Sequence, residues 1–198
     1  MSKRVGPGST HRVWRLGADI DTDVLAPGHA MKFGIDRIAA YCLESVRPEF
    51  ASAVRGGDVI VAGPNFGIGS SREQAAAVLV KLGVSAVIAP SYSGLYFRNA
   101  INLGLLLLTC AGVDALKEGD RIRIDIPGPP GPGCARPAPL GGSSRDGEAT
   151  STQGPAVIAP DGTRLACEPV PAFLMDMVRA GGLMNQLRQR AGKEPLDV

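Results

Sequence analysis

The stretch with the most chemical content is Gly63-Pro-Asn-Phe-Gly-Ile-Gly-Ser-Ser-Arg-Glu-Gln74. Ser70 with Glu73, or Ser71 with Gln74, has the spacing of a capping box, which predicts a helix beginning at the serines. Such a beginning offers unpaired backbone N–H groups and the positive end of the helix dipole. Gly67 and Gly69 keep the approach clear of side chains. Arg72 falls in the predicted first turn, where the same dipole mildly disfavours a cation. A guanidinium there makes sense if it grips an anion, and a carboxylate held bidentately suits it best. The segment therefore reads as a small-anion site. A capped helix with an incidental surface arginine is the alternative.

Other chemistries do not fit these residues. A P-loop needs Gly-Lys-Ser/Thr after four spacers, and no lysine is present. The dinucleotide fingerprint needs a third glycine where Arg72 stands. A nucleophile elbow needs glycine two residues past its serine, and a hydrolase triad needs a suitable histidine. Only His11 and His29 exist, both near the start of the chain. The four cysteines, Cys42, Cys110, Cys134 and Cys167, form no C-x-x-C pair. The chain is thus expected to bind no metal or cofactor itself, and its thiols to be free.

The elements that must position this segment are legible around it. Residues 58–63, 84–89 and 105–109 are apolar strands, and helices are predicted over 71–82 and from Ser91 to about Leu103, each closed by glycine. Strand, helix, strand, helix, strand at this spacing implies a parallel βαβαβ core with right-handed crossovers, hence an α/β fold. Near-continuous apolar strands are expected when both sheet faces are covered. Residues 12–16 read as a short strand and 34–47 as an amphipathic helix. Residues 121–126 alternate with period two, as a half-exposed strand does. Strands resume at 155–159 and 163–168, and a last helix starts near Pro171. The Pro/Gly/Ser-rich stretch at about 127–154 cannot bury enough apolar surface to offset its ordering, so it is expected to be a flexible excursion from a single domain spanning 1–198.

Composition narrows the function classes. Hydrophobic residues make up 44% of the 198 and charged residues 20%, with a net charge of +2. No Lys/Arg stripe marks a nucleic-acid surface. No apolar run approaches the roughly 20 residues of a membrane span. The basic N-terminus has no apolar segment behind it, so a signal peptide is not expected and cytoplasm is the default.

Three blocks carry a resemblance. Asn65-Phe-Gly-Ile-Gly-Ser-Ser-Arg-Glu73, Val87-Ile-Ala-Pro-Ser-Tyr92 and Arg98-Asn-Ala-Ile-Asn-Leu-Gly-Leu-Leu106 resemble the swivel domain of the aconitase superfamily, an aconitase-type β/β/α domain. Asp19-Ile-Asp-Thr-Asp-Val-Leu-Ala-Pro-Gly28, with Pro171-Ala-Phe-Leu-Met and Ala180-Gly-Gly-Leu, resembles the small subunits of 3-isopropylmalate dehydratase and homoaconitase. The resemblance implies a hydro-lyase that isomerises a hydroxy-dicarboxylate by dehydration and rehydration. It implies a [4Fe–4S] cluster acting as Lewis acid, held by a large-subunit partner. It also implies Ser70 as the catalytic base at the carbon-bound proton, with Ser71 and Arg72 binding a substrate carboxylate.

The segment after Gly28 corresponds to the specificity loop of that family: His29, Ala30, Met31, Lys32 and Phe33. Lys32 stands where homoaconitase-like members carry an arginine that meets an extra carboxylate. Ala30, Met31 and Phe33 would instead suit an isopropyl group, and a solvated loop lysine is a further reading of Lys32. Substrates in view are therefore 3-isopropylmalate, homoaconitate or a dimethylmalate. A non-catalytic partner module that kept the fold is the alternative from another class. Two departures stand out: Ile68 where cysteine is common, and the Pro/Gly-rich excursion.

Overall fold

A computed structural model describes residues 9–127 and 154–192. The predicted excursion therefore lies, but for its first and last residues, outside the described part. In chain order the elements are β1 (Thr10–Arg15), α1 (Thr22–Leu25), α2 (Ile35–Ala39), α3 (Phe50–Ala53), β2 (Val59–Val61), α4 (Gln74–Lys81), β3 (Ala86–Ala89), α5 (Gly94–Asn102), β4 (Leu106–Thr109), β5 (Arg121–Asp125), β6 (Ala156–Ile158), β7 (Arg164–Ala166), α6 (Ala172–Ala180) and α7 (Leu183–Arg190). They build one seven-stranded mixed sheet in the order β4-β3-β2-β1-β5-β6-β7. The α/β class and the parallel βαβαβ core read from the sequence are both present.

β1 joins two halves. Val13 to Arg15 run parallel to Val59 to Val61 of β2, while Thr10 to Arg12 pair antiparallel with β5. β2, β3 and β4 are parallel to one another, as their helical crossovers require, and β5, β6 and β7 form an antiparallel meander.

The sheet separates two apolar cores, and strand pleat decides which residue enters which. Ile60, Ala62, Val87, Ala89, Leu105 and Leu107 face α1, α2, α4 and α5 together with Trp14, Leu25, Phe50 and Phe66. Their neighbours Val59, Val61, Ala86, Ile88, Leu106 and Leu108 face the opposite side with Ile122, Ile124, Val157 and Met175. Both faces are covered, which is why these strands are unbroken apolar runs. β5 alternates exposed and buried, as its period-two sequence requires.

The predicted helix over 34–47 is corrected to a single short helix, α2, followed by turns. Leu43 takes a positive φ of 62°, and its N–H donates to the Val24 carbonyl at 2.9 Å instead of continuing the helix. A tertiary bond to α1 wins over the helical period. Among the described residues no helix is long and apolar enough to cross a membrane.

Candidate active site

The loop from β2 to α4 runs beside the segment from β1 to α1. Asp19 N–H donates to Pro64 O at 2.9 Å, Gly67 N–H to Ile20 O at 2.7 Å, and Thr22 N–H to Ile68 O at 2.9 Å. Asn65 completes the seam by donating to Asp19 Oδ1 at 2.8 Å. Beneath it, Phe66 packs edge-on against Tyr96 and Tyr92, with centroids 5.3 and 6.3 Å away. Tyr92 places its hydroxyl between the carbonyls of Val87 and Leu108 at 2.8 and 2.9 Å, and burial drives its pKa up. Gly67 has φ +78°, and a Cβ there would lie 2.1 Å from Tyr96 Cγ. Only glycine fits, because both the backbone region and the space forbid a side chain.

This seam delivers Ser70 to Thr22. Ser70 N–H donates to Thr22 Oγ1 at 3.0 Å, and the two hydroxyls are 3.2 Å apart. Thr22 is only 1% exposed, whereas Ser70 and Ser71 lie on the surface. Gly69, with φ +103°, leaves room for that approach, since a Cβ there would stand 3.0 Å from Thr22 Oγ1. Asp21 accepts from Val24 N–H at 2.7 Å and so caps α1, which fixes Thr22 in place.

The predicted start of the α4 helix needs correction. α4 begins at Gln74, and neither serine side chain caps it. Ser70 is tied to Thr22 instead, and a side chain committed there cannot also close a capping box. The consequence for anion binding is modest. The N–H groups of Ser71, Arg72, Glu73 and Gln74 find no acceptor among the described residues, while Ala75 and Ala76 N–H bond back to Arg72 and Glu73 carbonyls. Donors thus remain open beside the serines, as at any helix start.

Arg72 precedes the helix rather than sitting within it. Its Nη1 donates to Asp23 Oδ1 and, at 3.1 Å, to Ala26 O. Asn99 of α5 holds the Ser71 carbonyl at 3.1 Å. Sequence reasoning missed Thr22, Asp23 and Asn99. The run Asp21-Thr-Asp23 was visible as a polar turn, but nothing local ties it to a serine 48 residues onward.

The loop carrying His29, Ala30, Met31, Lys32 and Phe33 begins where Arg72 touches Ala26. Its residues diverge in environment. Ala30 is fully buried and Met31 packs against the core, so neither belongs to the exposed surface. Lys32 Nζ and Arg37 Cζ both stand over the half-exposed Phe33 ring, at 5.2 and 4.9 Å. His29 Nε2 lies 3.3 Å from Glu44 Oε1, and its ring packs edge-on to Tyr41. Among the described residues no group of three or more His, Cys, Asp or Glu side chains could hold a metal ion.

Known proteins resemble this chain in sequence and in fold. The Aconitase C-terminal domain family matches residues 48–112, which contain the β2 to β4 core and the serine loop. The methanogen homoaconitase small subunit of Methanothermobacter thermautotrophicus is 52% identical over 116 residues, 58% of this chain and 67% of its own length. The 3-isopropylmalate dehydratase small subunit of Halothermothrix orenii is 35% identical over 179 residues, covering 89% of this chain and 93% of that protein. The solved structure of 3-isopropylmalate dehydratase from Methanocaldococcus jannaschii superposes with a TM-score of 0.73 at 31% identity, covering 92% of this chain and 94% of that one. This chain belongs to the 3-isopropylmalate dehydratase small-subunit family of aconitase-type hydro-lyases.

Proposed function

We propose that this chain, paired with a large subunit, isomerises 3-isopropylmalate by dehydration and rehydration. Ser70 serves as the base at the carbon-bound proton. The observation that supports this is an exposed serine hydroxyl fixed 3.2 Å from a buried one, beside open N–H donors and an arginine. Thr22 Oγ1 already accepts the Ser70 N–H, and its own single proton is available to Ser70 Oγ. Once Ser70 has lost its proton, Thr22 is the donor, so the developing oxyanion is met by a preset hydrogen bond. Ser71 and Arg72 receive a substrate carboxylate, with Asp23 and the Ala26 carbonyl aiming the guanidinium.

The [4Fe–4S] cluster of such an enzyme supplies Lewis-acid chemistry to the substrate hydroxyl and carboxylate. The described cysteines do not suit it: Cys42 lies in the core on one face of the sheet, Cys110 and Cys167 in the core on the other. We therefore assign the cluster to the large subunit. Cytoplasm is the compartment that fits three thiols outside any disulfide.

A second reading has support of its own. The 52% identical relative is a homoaconitase small subunit, and Lys32 is exposed on the loop read as setting specificity. Homoaconitate is then the substrate, with Lys32 meeting its additional carboxylate.

The test is reconstitution. Alone, the chain should be inactive on any hydroxyacid; mixed anaerobically with a cluster-bearing large subunit it should turn over, and Ser70→Ala should lower kcat by about 10²- to 10⁴-fold. Full turnover in that variant would remove Ser70 as the base. Rates on 3-isopropylmalate, homoaconitate and 2,3-dimethylmalate decide the substrate.

A further inference from the structure

The two edges of the sheet meet. β4 and β7 are its outermost strands, yet Glu168 N–H donates to Thr109 O at 2.8 Å. The sheet therefore curls until its ends touch at one point. Adjacent in sequence to that contact are Cys110 and Cys167. Both are buried in the same apolar cluster, with Val113, Leu116 and Met175, and the bond between Glu168 and Thr109 sets their backbones side by side. Cys167 also approaches the Leu165 carbonyl at 3.8 Å. Neither thiol enters the hydro-lyase chemistry.

We propose that Cys110 and Cys167 are an oxidation site, at which a small hydroperoxide forms a disulfide that closes the curled sheet covalently. Cys110 sulfur attacks the O–O bond, takes one oxygen as a sulfenic acid and releases water from hydrogen peroxide, or an alcohol from an organic hydroperoxide. Cys167 sulfur then attacks the sulfenic sulfur, and the second water leaves. Two thiols give up two electrons and two protons, and the peroxide is reduced by the same two electrons.

Placement beside a second thiol, and a lowered Cys110 pKa with it, set this pair apart from Cys42. The neighbouring Cys167 thiol lowers the Cys110 thiol to about 7, toward the thiolate, which is the reactive form. The neighbouring Cys110 thiol and burial raise Cys167, which favours its protonated form. Burial alone raises Cys42, with no partner to oppose it. Cys167 retains 8% exposure between the exposed Ala166 and Glu168, while Cys110 has 1%, so peroxide has to enter on the Cys167 side of the pair.

The experiment uses the full chain, reduced, freed of reductant and exposed to hydrogen peroxide. It is then denatured in iodoacetamide, digested and weighed. A peptide pair joined through Cys110 and Cys167, lighter by two hydrogens and separated by dithiothreitol, is expected. Its rate of formation should rise with pH through about 7. In Cys167→Ser, dimedone should capture a sulfenic acid at Cys110. Recovery of both thiols alkylated, a bond from Cys134 to either cysteine, or dimedone capture at Cys42 or Cys134 alone would overturn the assignment. No outcome depends on hydro-lyase activity.

Discussion

Thr22 Oγ1 accepts the Ser70 N–H at 3.0 Å and stands 3.2 Å from Ser70 Oγ, so one buried hydroxyl holds both the backbone and the side chain of the same residue. With Ser70 as the proposed base, Thr22 is a positioning residue with an electrostatic duty. Thr22→Val keeps the shape and deletes the hydroxyl. A hydrogen bond to a charged group contributes about 1.5–3 kcal/mol, so kcat should fall roughly 10- to 100-fold with KM nearly unchanged. The apparent pKa of the basic group in the kcat–pH profile should rise, because the deprotonated form of Ser70 has lost a donor. Thr22→Ser should restore both. A valine variant with wild-type kcat and pH profile would show that the contact is only structural.

Arg72 is aimed by two acceptors, Asp23 Oδ1 and the Ala26 carbonyl. Arg72→Lys replaces a planar fork by a point charge, so KM should rise about tenfold, more than kcat falls. Asp23→Asn should act in the same direction and more weakly. Because both changes loosen one contact, they should not add. A double-mutant cycle on kcat/KM is expected to show a coupling of about 1 kcal/mol, and strictly additive losses would separate Asp23 from Arg72.

Gly67 tests the support beneath the site. A methyl group there would need a left-handed backbone and would strike the Tyr96 ring. Gly67→Ala should therefore lower stability by about 2–5 kcal/mol, the sum of a conformational penalty and overpacking. Gly17→Ala is the control, since nothing lies within 4 Å of a Cβ there. Urea unfolding should show a lower midpoint for the first variant at an unchanged slope. Equal midpoints would mean that the loop relaxes away from Tyr96.

These relationships show what a sequence discloses and what it withholds. The parallel core was legible because Val59 to Val61, Ala86 to Ala89 and Leu106 to Thr109 are apolar on both faces and separated by glycine-closed helices. Ser70, Ser71 and Arg72 were visible as a group because they are contiguous. Thr22 was not, because its partner lies across the β1–β2 seam and neither residue signals the other locally. The serine capping box failed for the same reason: Ser70 satisfies a tertiary acceptor in Thr22, and α4 begins three residues after Ser71. Likewise Leu43 ends the predicted 34–47 helix through a bond to Val24 that no periodicity encodes.

Lys32 offers the test that separates the two proposed substrates. It is exposed, and its Nζ and the Arg37 guanidinium of α2 both lie over the Phe33 ring, so two cations gather at one aromatic side chain. A third carboxylate on a substrate reaching this loop would find a positive surface; an isopropyl group would not gain from it. Lys32→Met preserves length and apolar reach while removing charge. Loss of one charged contact, about 1.5 kcal/mol, should lower kcat/KM for homoaconitate about tenfold. The value for 3-isopropylmalate should change little or improve, because methionine adds apolar surface. Arg37→Met should reproduce the pattern if both cations serve the same carboxylate. The measurement is kcat/KM for both substrates with the reconstituted pair of subunits. An unchanged ranking in Lys32→Met would make Lys32 a solvated loop residue and move specificity to the partner subunit.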